Sequence, residues 1–354
     1  MVASPQGVSA SLARSIRVTR VDDRAIWDAA IDRLNGSVLQ SWRWGEFKSL
    51  HGWNPARFLV SEGDEPICAA SILTRAVGPM TVLYIPRGPV MHEPRPDAMS
   101  ALTVAIDNLA REERAVVCFC EPENDRIALP QSGTLGWERS SIELQPLRTI
   151  KVRIHGDDES ILEGMKSKTR YNVRLAGRRG VTVREASIKE VAAFYEILEE
   201  TSERDTFGIH SVEYYADMLD AFGNDAALLV AERDGEIAAG AIVLKHGDEA
   251  IYMFGASTRK HQRHMPTHLL QFEAMRWARE RGCSRYDLWG IPPTDEPPEE
   301  ADGNDLNVRR GLWGVYRFKQ GFGGEIVSYP GVYERQYYPR LISLWRKFRP
   351  GPGA

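Results

Sequence analysis

The sequence has no apolar run near the ~20 residues that span a bilayer. Its first residues, MVASPQGVSASLARSIRV, lack the continuous apolar stretch of a secretory signal. Only four cysteines occur (Cys68, Cys118, Cys120 and Cys283), and their spacing makes no disulfide framework, which suits a reducing compartment. Cys118 and Cys120 alternate on an expected strand and read as small buried hydrophobes on one face. The cytosol is therefore the expected location. Net charge is only −4, which argues against wrapping by nucleic acid, and no DNA partner is expected.

Several chemical signatures are also missing. There is no GxxxxGK[ST] phosphate loop, no GxGxxG after a strand, no HExxH and no GxSxG elbow. His261, His264 and His268 form the one histidine cluster, but Pro266 interrupts any single helix through it. A metal there would need a fourth ligand in a rigid frame, so a basic loop leading into a helix is expected and no metal. What remains is chemistry on a substrate that arrives already activated. A thioester or an aminoacyl ester qualifies, because its carbonyl is open to direct attack by an amine.

The 354 residues, 43% hydrophobic and 27% charged, fit two soluble domains. Internal similarity supports that division. FLVSEGDEPICAASIL (Phe58 to Leu73) lies over LLVAERDGEIAAGAIV (Leu228 to Val243) without a gap, identical at seven of sixteen positions. Each copy reads as two strands joined by a polar turn. Tyr84 and Tyr252 then correspond, followed by helical stripes at Leu102, Ile106, Leu109, Ala110 and at Leu270, Ala274, Trp277, Ala278. The next strands end at Pro122 and Pro292. The order is hairpin, strand, helix, strand in both halves.

That order resembles the GNAT acyltransferase fold, an α/β fold whose mixed sheet splays apart to admit an acyl donor. The usual acyl-CoA site has a glycine-rich turn opening the central helix, whose N–H groups hold pyrophosphate. Here the turn is RKHQRHMPTHLL in the second half and EPRPDAMSAL in the first, neither containing glycine. The expected cofactor is accordingly none.

Six segments in order resemble the Fem family (FemA, FemB, FemX), aminoacyl-tRNA-dependent transferases that build peptidoglycan cross-bridges. They are QSWRWGEFKSLHGW, YIPRGPV, MKSKTRYNVRLAGRRGV, SERDTFGIHSVEYY, HMPTHLLQFEAMRWARERGCSRYDLWGIP and YRFKQGFGGE, covering most of the chain from about residue 40 to residue 340. The resemblance implies two tandem GNAT-like domains, the first over 1–148 plus 322–354 and the second over 149–321. Between Val181 and Asp225 no long heptad segment occurs, so no coiled-coil arm is expected. It also implies aminoacyl-tRNA as co-substrate, and a peptidoglycan precursor, UDP-linked muropeptide or lipid II, as acceptor.

Site residues follow from the matched motifs. Lys166, Arg170, Arg174 and Arg178 recur every fourth residue in a stretch without acids, making one cationic row on a helix. A solvated face is the bland reading of such a row; contact with tRNA or substrate phosphates would relieve its self-repulsion. Lys319 in YRFKQGFGGE matches the family lysine thought to stabilise the oxyanion, and Gly321, Gly323 and Gly324 permit close backbone approach. Lys48 matches a phosphate-contacting lysine, Arg87 offers a planar fork for an oxyanion, and Tyr214 and Tyr252 fall where substrate-lining tyrosines are placed. Met91-His92 and His210 depart from the family pattern, the second replacing an arginine, so the form of the acceptor is left open.

Two readings compete at the C-terminus, where Arg340, Arg346, Lys347 and Arg349 stand among aromatic and aliphatic residues. One is a basic anchor giving peripheral contact with the inner membrane face; the other is a helix packed on the first domain. Two functional alternatives to aminoacyl transfer also stand: an acyl-CoA-dependent N-acyltransferase, and a non-catalytic RNA-binding protein.

Overall fold

The computed structural model describes residues 15–124, 127, 129, 136–205, 207–295 and 313–342. Arg346, Lys347, Arg349 and most of the acidic segment 294–305 lie outside them.

The first half runs β1 (Ile16–Arg20), α1 (Arg24–Arg33), α2 (Trp42–Ser49), β2 (Asn54–Glu62), β3 (Glu65–Val77), β4 (Met80–Ile85), α3 (Pro96–Glu112), β5 (Ala115–Cys120) and β6 (Glu138–Arg139). The second runs β7 (Arg148–Arg153), α4 (Asp158–Glu163), α5 (Ser167–Arg178), β8 (Thr182–Ala186), α6 (Val191–Asp205), α7 (Val212–Phe222), β9 (Ala226–Arg233), β10 (Glu236–His246), β11 (Glu249–Ser257), α8 (Pro266–Glu280) and β12 (Arg285–Asp287). A helix α9 over 313–320 follows, then β13 (Glu325–Ser328) and β14 (Tyr333–Gln336). Two seven-stranded sheets result, ordered β1-β2-β3-β4-β5-β14-β6 and β13-β7-β12-β11-β10-β9-β8. In each, the pairing is antiparallel except where the central helix crosses over, between β4 and β5 and between β11 and β12.

The duplicated order is therefore real, and both helical stripes are buried as their periodicity requires. Leu102, Ile106, Leu109 and Ala110 pack under the first sheet, and Leu270, Ala274, Trp277 and Ala278 under the second. The hairpins, however, superpose one residue away from the ungapped sequence match. The first turns at Gly63-Asp64 between paired Glu62 and Glu65; the second turns at Asp234-Gly235 between paired Arg233 and Glu236. Val60 faces α3, and its counterpart on the face of α8 is Ala231, whereas Val230 points the other way. With a side-chain period of two, a one-residue slip exchanges the faces. Tyr84 and Tyr252 likewise sit on opposite faces of their sheets.

The return of the chain to the first sheet comes later than position 322. Residues 325–328 still pair with β7 in the second sheet, and only β14 pairs with β5 and β6 in the first. Between the halves, Val38, Leu39, Trp44, Phe47 and Leu73 share one core with Phe194, Tyr214, Tyr215, Leu228 and Ile242. The described residues between Val181 and Asp225 fold as β8, α6 and α7, the helices of 15 and 11 residues, without a long arm among them. No described helix is long and apolar enough to cross a membrane.

Candidate active site

The two halves differ where their parallel strands meet. In the first, β4 and β5 stay paired to the end, Ile85 opposite Cys120. In the second, β11 and β12 pair only from Glu249–Arg285 to Ile251–Asp287, after which β11 continues to Ser257 and the chain beyond β12 diverges. The parallel strands separate in the second half.

Lys319 occupies that opening. Its Nζ donates to the carbonyls of Trp289 (3.2 Å) and Gly290 (2.7 Å), which follow β12, and lies 5.7 Å from the ring centre of Tyr252 on β11. An ammonium carries three N–H donors, so two are used within the protein and one is left for a ligand. The side chain is 6% exposed, and burial pulls its pKa down to about 8 against the opposing pull of Asp287. The two rivals in that balance are desolvation, which disfavours the charge, and a nearby carboxylate, which favours it. Gly255 preserves the place of Tyr252, since a Cβ there would fall 1.7 Å from the tyrosine hydroxyl.

The glycines after Lys319 set its position. A Cβ on Gly323 would lie 2.3 Å from the Gly164 carbonyl, and one on Gly324 would lie 2.5 Å from the Lys151 carbonyl. Both have positive φ, 79° and 91°, which glycine alone adopts freely. The turn thus seats α9 directly on α4, α5 and β7. The Gly321 carbonyl accepts the Lys166 N–H at 2.9 Å, bringing the start of the basic helix beside the lysine motif.

The cationic row itself is less uniform than its spacing implies. Leu162, Met165, Val173 and Ala176 are buried, as the helical period requires. Arg170 turns back to the Leu162 and Glu163 carbonyls at 3.2 and 3.3 Å, closing the end of α4. Arg174 pairs with Glu159 at 2.6 Å. Lys166 and Arg178 are exposed, as is neighbouring Lys168, and Arg178 lies over Tyr171.

A second cluster forms between the halves. Lys48 on α2 donates to the Tyr214 hydroxyl of α7 at 3.3 Å and lies within 6 Å of the Trp44, Phe47, Trp53 and Tyr214 rings. Burial, aided by Arg75, lowers its pKa to about 8. His210 stacks on Tyr214 at 3.8 Å. Burial, then Lys48 and His51, lower the pKa of His210, leaving it a neutral ring at physiological pH. Lys48, His210 and Tyr214 are thus brought together, while Lys319 and Tyr252 meet at the splayed strands.

Arg87 is 2% exposed, donating to the Pro146 carbonyl at 2.6 Å and stacked 3.5 Å over Tyr329. Its Nε is buried without a partner. Its guanidinium also lies 5.6 Å from the ring of Trp289, the residue whose carbonyl holds Lys319. Trp289, Trp53 and Arg75 do not stand out in the sequence. The signal for Trp289 is weak, a tryptophan before glycine in LWGIP, and only its φ of 58° marks it.

The start of α8 contains no glycine-rich turn. Met265 at its N-cap is left-handed, with φ 58°, and Pro266 supplies no N–H. His261 is held by Glu236 at 3.0 Å. Among the described residues no group of three His, Cys, Asp or Glu could hold a metal ion.

Comparison with known proteins agrees with this arrangement. Residues 30–133 match the FemAB family, and residues 165–300 match an acetyltransferase (GNAT) domain. A lipid II:glycine glycyltransferase of Staphylococcus saprophyticus is 25% identical, over 79% of this chain and 86% of its own. The protein of that name from Staphylococcus aureus is also 25% identical, over 89% and 95%. The crystal structure of FemX superposes with a TM-score of 0.78 at 23% identity, covering 93% of this chain and 99% of that one. With a FemAB match in the first half, a GNAT-domain match in the second and the splayed strands built as described, the chain is similar to the Fem family in sequence and shares the fold of FemX.

Proposed function

We propose that this chain transfers an amino acid from aminoacyl-tRNA to the amino group of a peptidoglycan precursor stem peptide. The observation that carries the reading is Lys319, fixed by two carbonyls where the parallel strands of the second sheet separate, with one N–H to spare. The relatives named as lipid II:glycine glycyltransferases support the class of acceptor and the formation of a cross-bridge.

The chemistry is direct acyl transfer. The neutral acceptor amine attacks the ester carbonyl carbon; the new C–N bond forms as the carbonyl electrons move onto oxygen. The remaining Lys319 N–H meets that oxyanion, an interaction strong in a desolvated cleft. Collapse restores the carbonyl and breaks the bond to the terminal ribose oxygen of the tRNA. The amine proton passes to that leaving oxygen, directly or through water. Lys48 and Tyr214, on aromatic walls in the groove between the halves, suit a phosphate of the acceptor. Lys166, Lys168 and Arg178, beside the lysine motif, suit the donor's phosphates.

The test is to incubate purified protein with a muropeptide precursor and either charged tRNA or acyl-CoA, and to weigh the precursor. An aminoacyl increment that requires charged tRNA and is lost in Lys319→Ala supports the proposal. An increment from acyl-CoA instead overturns the donor, and binding of tRNA without transfer overturns the activity. Running UDP-linked and lipid-linked precursors side by side identifies the acceptor.

A further inference from the structure

We infer that Asp287 is the positioning residue of the lysine site: it fixes the two carbonyls that hold Lys319 and supplies the counter-charge that keeps Lys319 an ammonium. The inference rests on the reading of Lys319 as the oxyanion group.

Asp287 ends β12 at the point where the strands separate, and it is 1% exposed. Its Oδ1 accepts the Thr149 hydroxyl of β7 and, at 2.7 Å, the backbone N–H of Trp289. That second bond holds Trp289 in the left-handed region at φ 58°, where a tryptophan stays only if its surroundings impose it. The turn so made aims the carbonyls of Trp289 and Gly290 at Lys319. Pro146 closes the other side, 2.9 Å from where a Cβ on Gly290 would lie. One carboxylate thus reaches the lysine through a single backbone turn.

The charge balance agrees. Lys151 Nζ lies 3.8 Å from Asp287 Oδ2 but is already taken at 2.9 Å by both oxygens of Glu249. Lys151 is held more closely by Glu249 than by Asp287, and the Asp287 carboxylate favours the charged form of Lys319 against its burial. The other titratable or charged groups around this site are Tyr252, Tyr286, Tyr329, Glu123 and Arg87; burial pushes the three tyrosines up, so they stay neutral. Burial also pushes Glu123 up to about 7. Asp287 itself contributes to raising Glu123, so the comparison is made in a Glu123→Gln background, where only the charge at position 287 differs between variants.

The experiment labels the substrate-free protein with acetic anhydride across pH and reads modification of Lys319 by peptide mass. Asp287→Asn keeps an oxygen for the Trp289 N–H and removes the charge. Its Lys319 labelling midpoint is expected to fall by at least about half a pH unit, with the alkaline limb of kcat/KM falling equally. Asp287→Glu keeps the charge but displaces the carboxylate. Its midpoint is expected to stay near the value of the Glu123→Gln parent while kcat drops about tenfold or more and acceptor KM changes little. A folded Asp287→Asn with an unchanged midpoint overturns the inference, as does Asp287→Glu with unchanged kcat. A shifted midpoint in a protein that transfers nothing from any donor supports the charge role of Asp287 and overturns the proposed function instead.

Discussion

Asp107 and Arg335, 228 positions apart, form a two-pronged ion pair, with Nε and Nη2 of the arginine each 2.7 Å from a carboxylate oxygen. Arg335 is on β14 and Asp107 on α3, so the pair pins the returning C-terminal strand to the central helix of the first half. Tyr337 adds a third bond to Asp107 at 3.0 Å.

Both partners are largely shielded, at 9% and 17% side-chain exposure, and removing one strands the other. Asp107→Ala is therefore expected to destabilise the fold by about 3–5 kcal/mol, seen as a lower urea midpoint. A loss within the ordinary range of a surface substitution would show that the return strand is held by its sheet pairing alone.

Lys319 gives a pH signature of stability as well as of activity. Its folded pKa of about 8 lies below the ~10.4 of a free lysine. The unfolded chain then binds more protons between those values, and the contribution of Lys319 to stability rises with pH across that window. Below pH 8 the full cost of burying the ammonium is present. Lys319→Met is expected to be inactive yet more resistant to urea than wild type near pH 7, with the advantage shrinking toward pH 10. Transfer by the wild type is expected to fall as pH rises through about 8, because the ammonium is the working form. A flat difference in urea midpoint would contradict the shift.

Lys48 predicts an effect on binding rather than on chemistry. Lys48→Met is expected to raise the acceptor KM by about 10–100-fold, the scale of one charge-assisted hydrogen bond, while kcat changes little. In the wild type, acceptor affinity is expected to decline above pH 8 as the ammonium, held at about 8, is lost. A drop in kcat with KM unchanged would place Lys48 at the reacting centre instead.

The basic helix separates into two kinds of charge. Lys166→Gln, Lys168→Gln and Arg178→Gln are each expected to weaken tRNA binding and flatten its salt dependence, by about 0.7–0.9 in log–log slope for each phosphate left without its cation. Arg174→Gln is expected to change that slope less, because Glu159 already meets its guanidinium. Equal slopes for all four variants would show that tRNA displaces Glu159.

Much of the fold is legible in the chain's own pattern. Leu102 to Ala110 and Leu270 to Ala278 announce their helices because apolar side chains every three or four residues have one buried face. The glycines at 323 and 324 announce a close turn because a side chain there meets backbone. The hairpin match is half legible. Identical letters align Val60 with Val230, but two strands of like composition can slide by one residue at little cost in similarity. The structure places these valines on opposite faces.

By itself, the sequence determined that the chain is two copies of one α/β plan, where its central helices lie and which lysine stands in the glycine-rich turn. Those features depend on neighbours within a few residues. Tertiary structure decided that only the second half opens its strands, that Arg170 and Arg174 are spoken for, and that Asp287 reaches Lys319 through Trp289. These depend on register and on partners brought from distant positions, and no local pattern of residues encodes the distance between two strands.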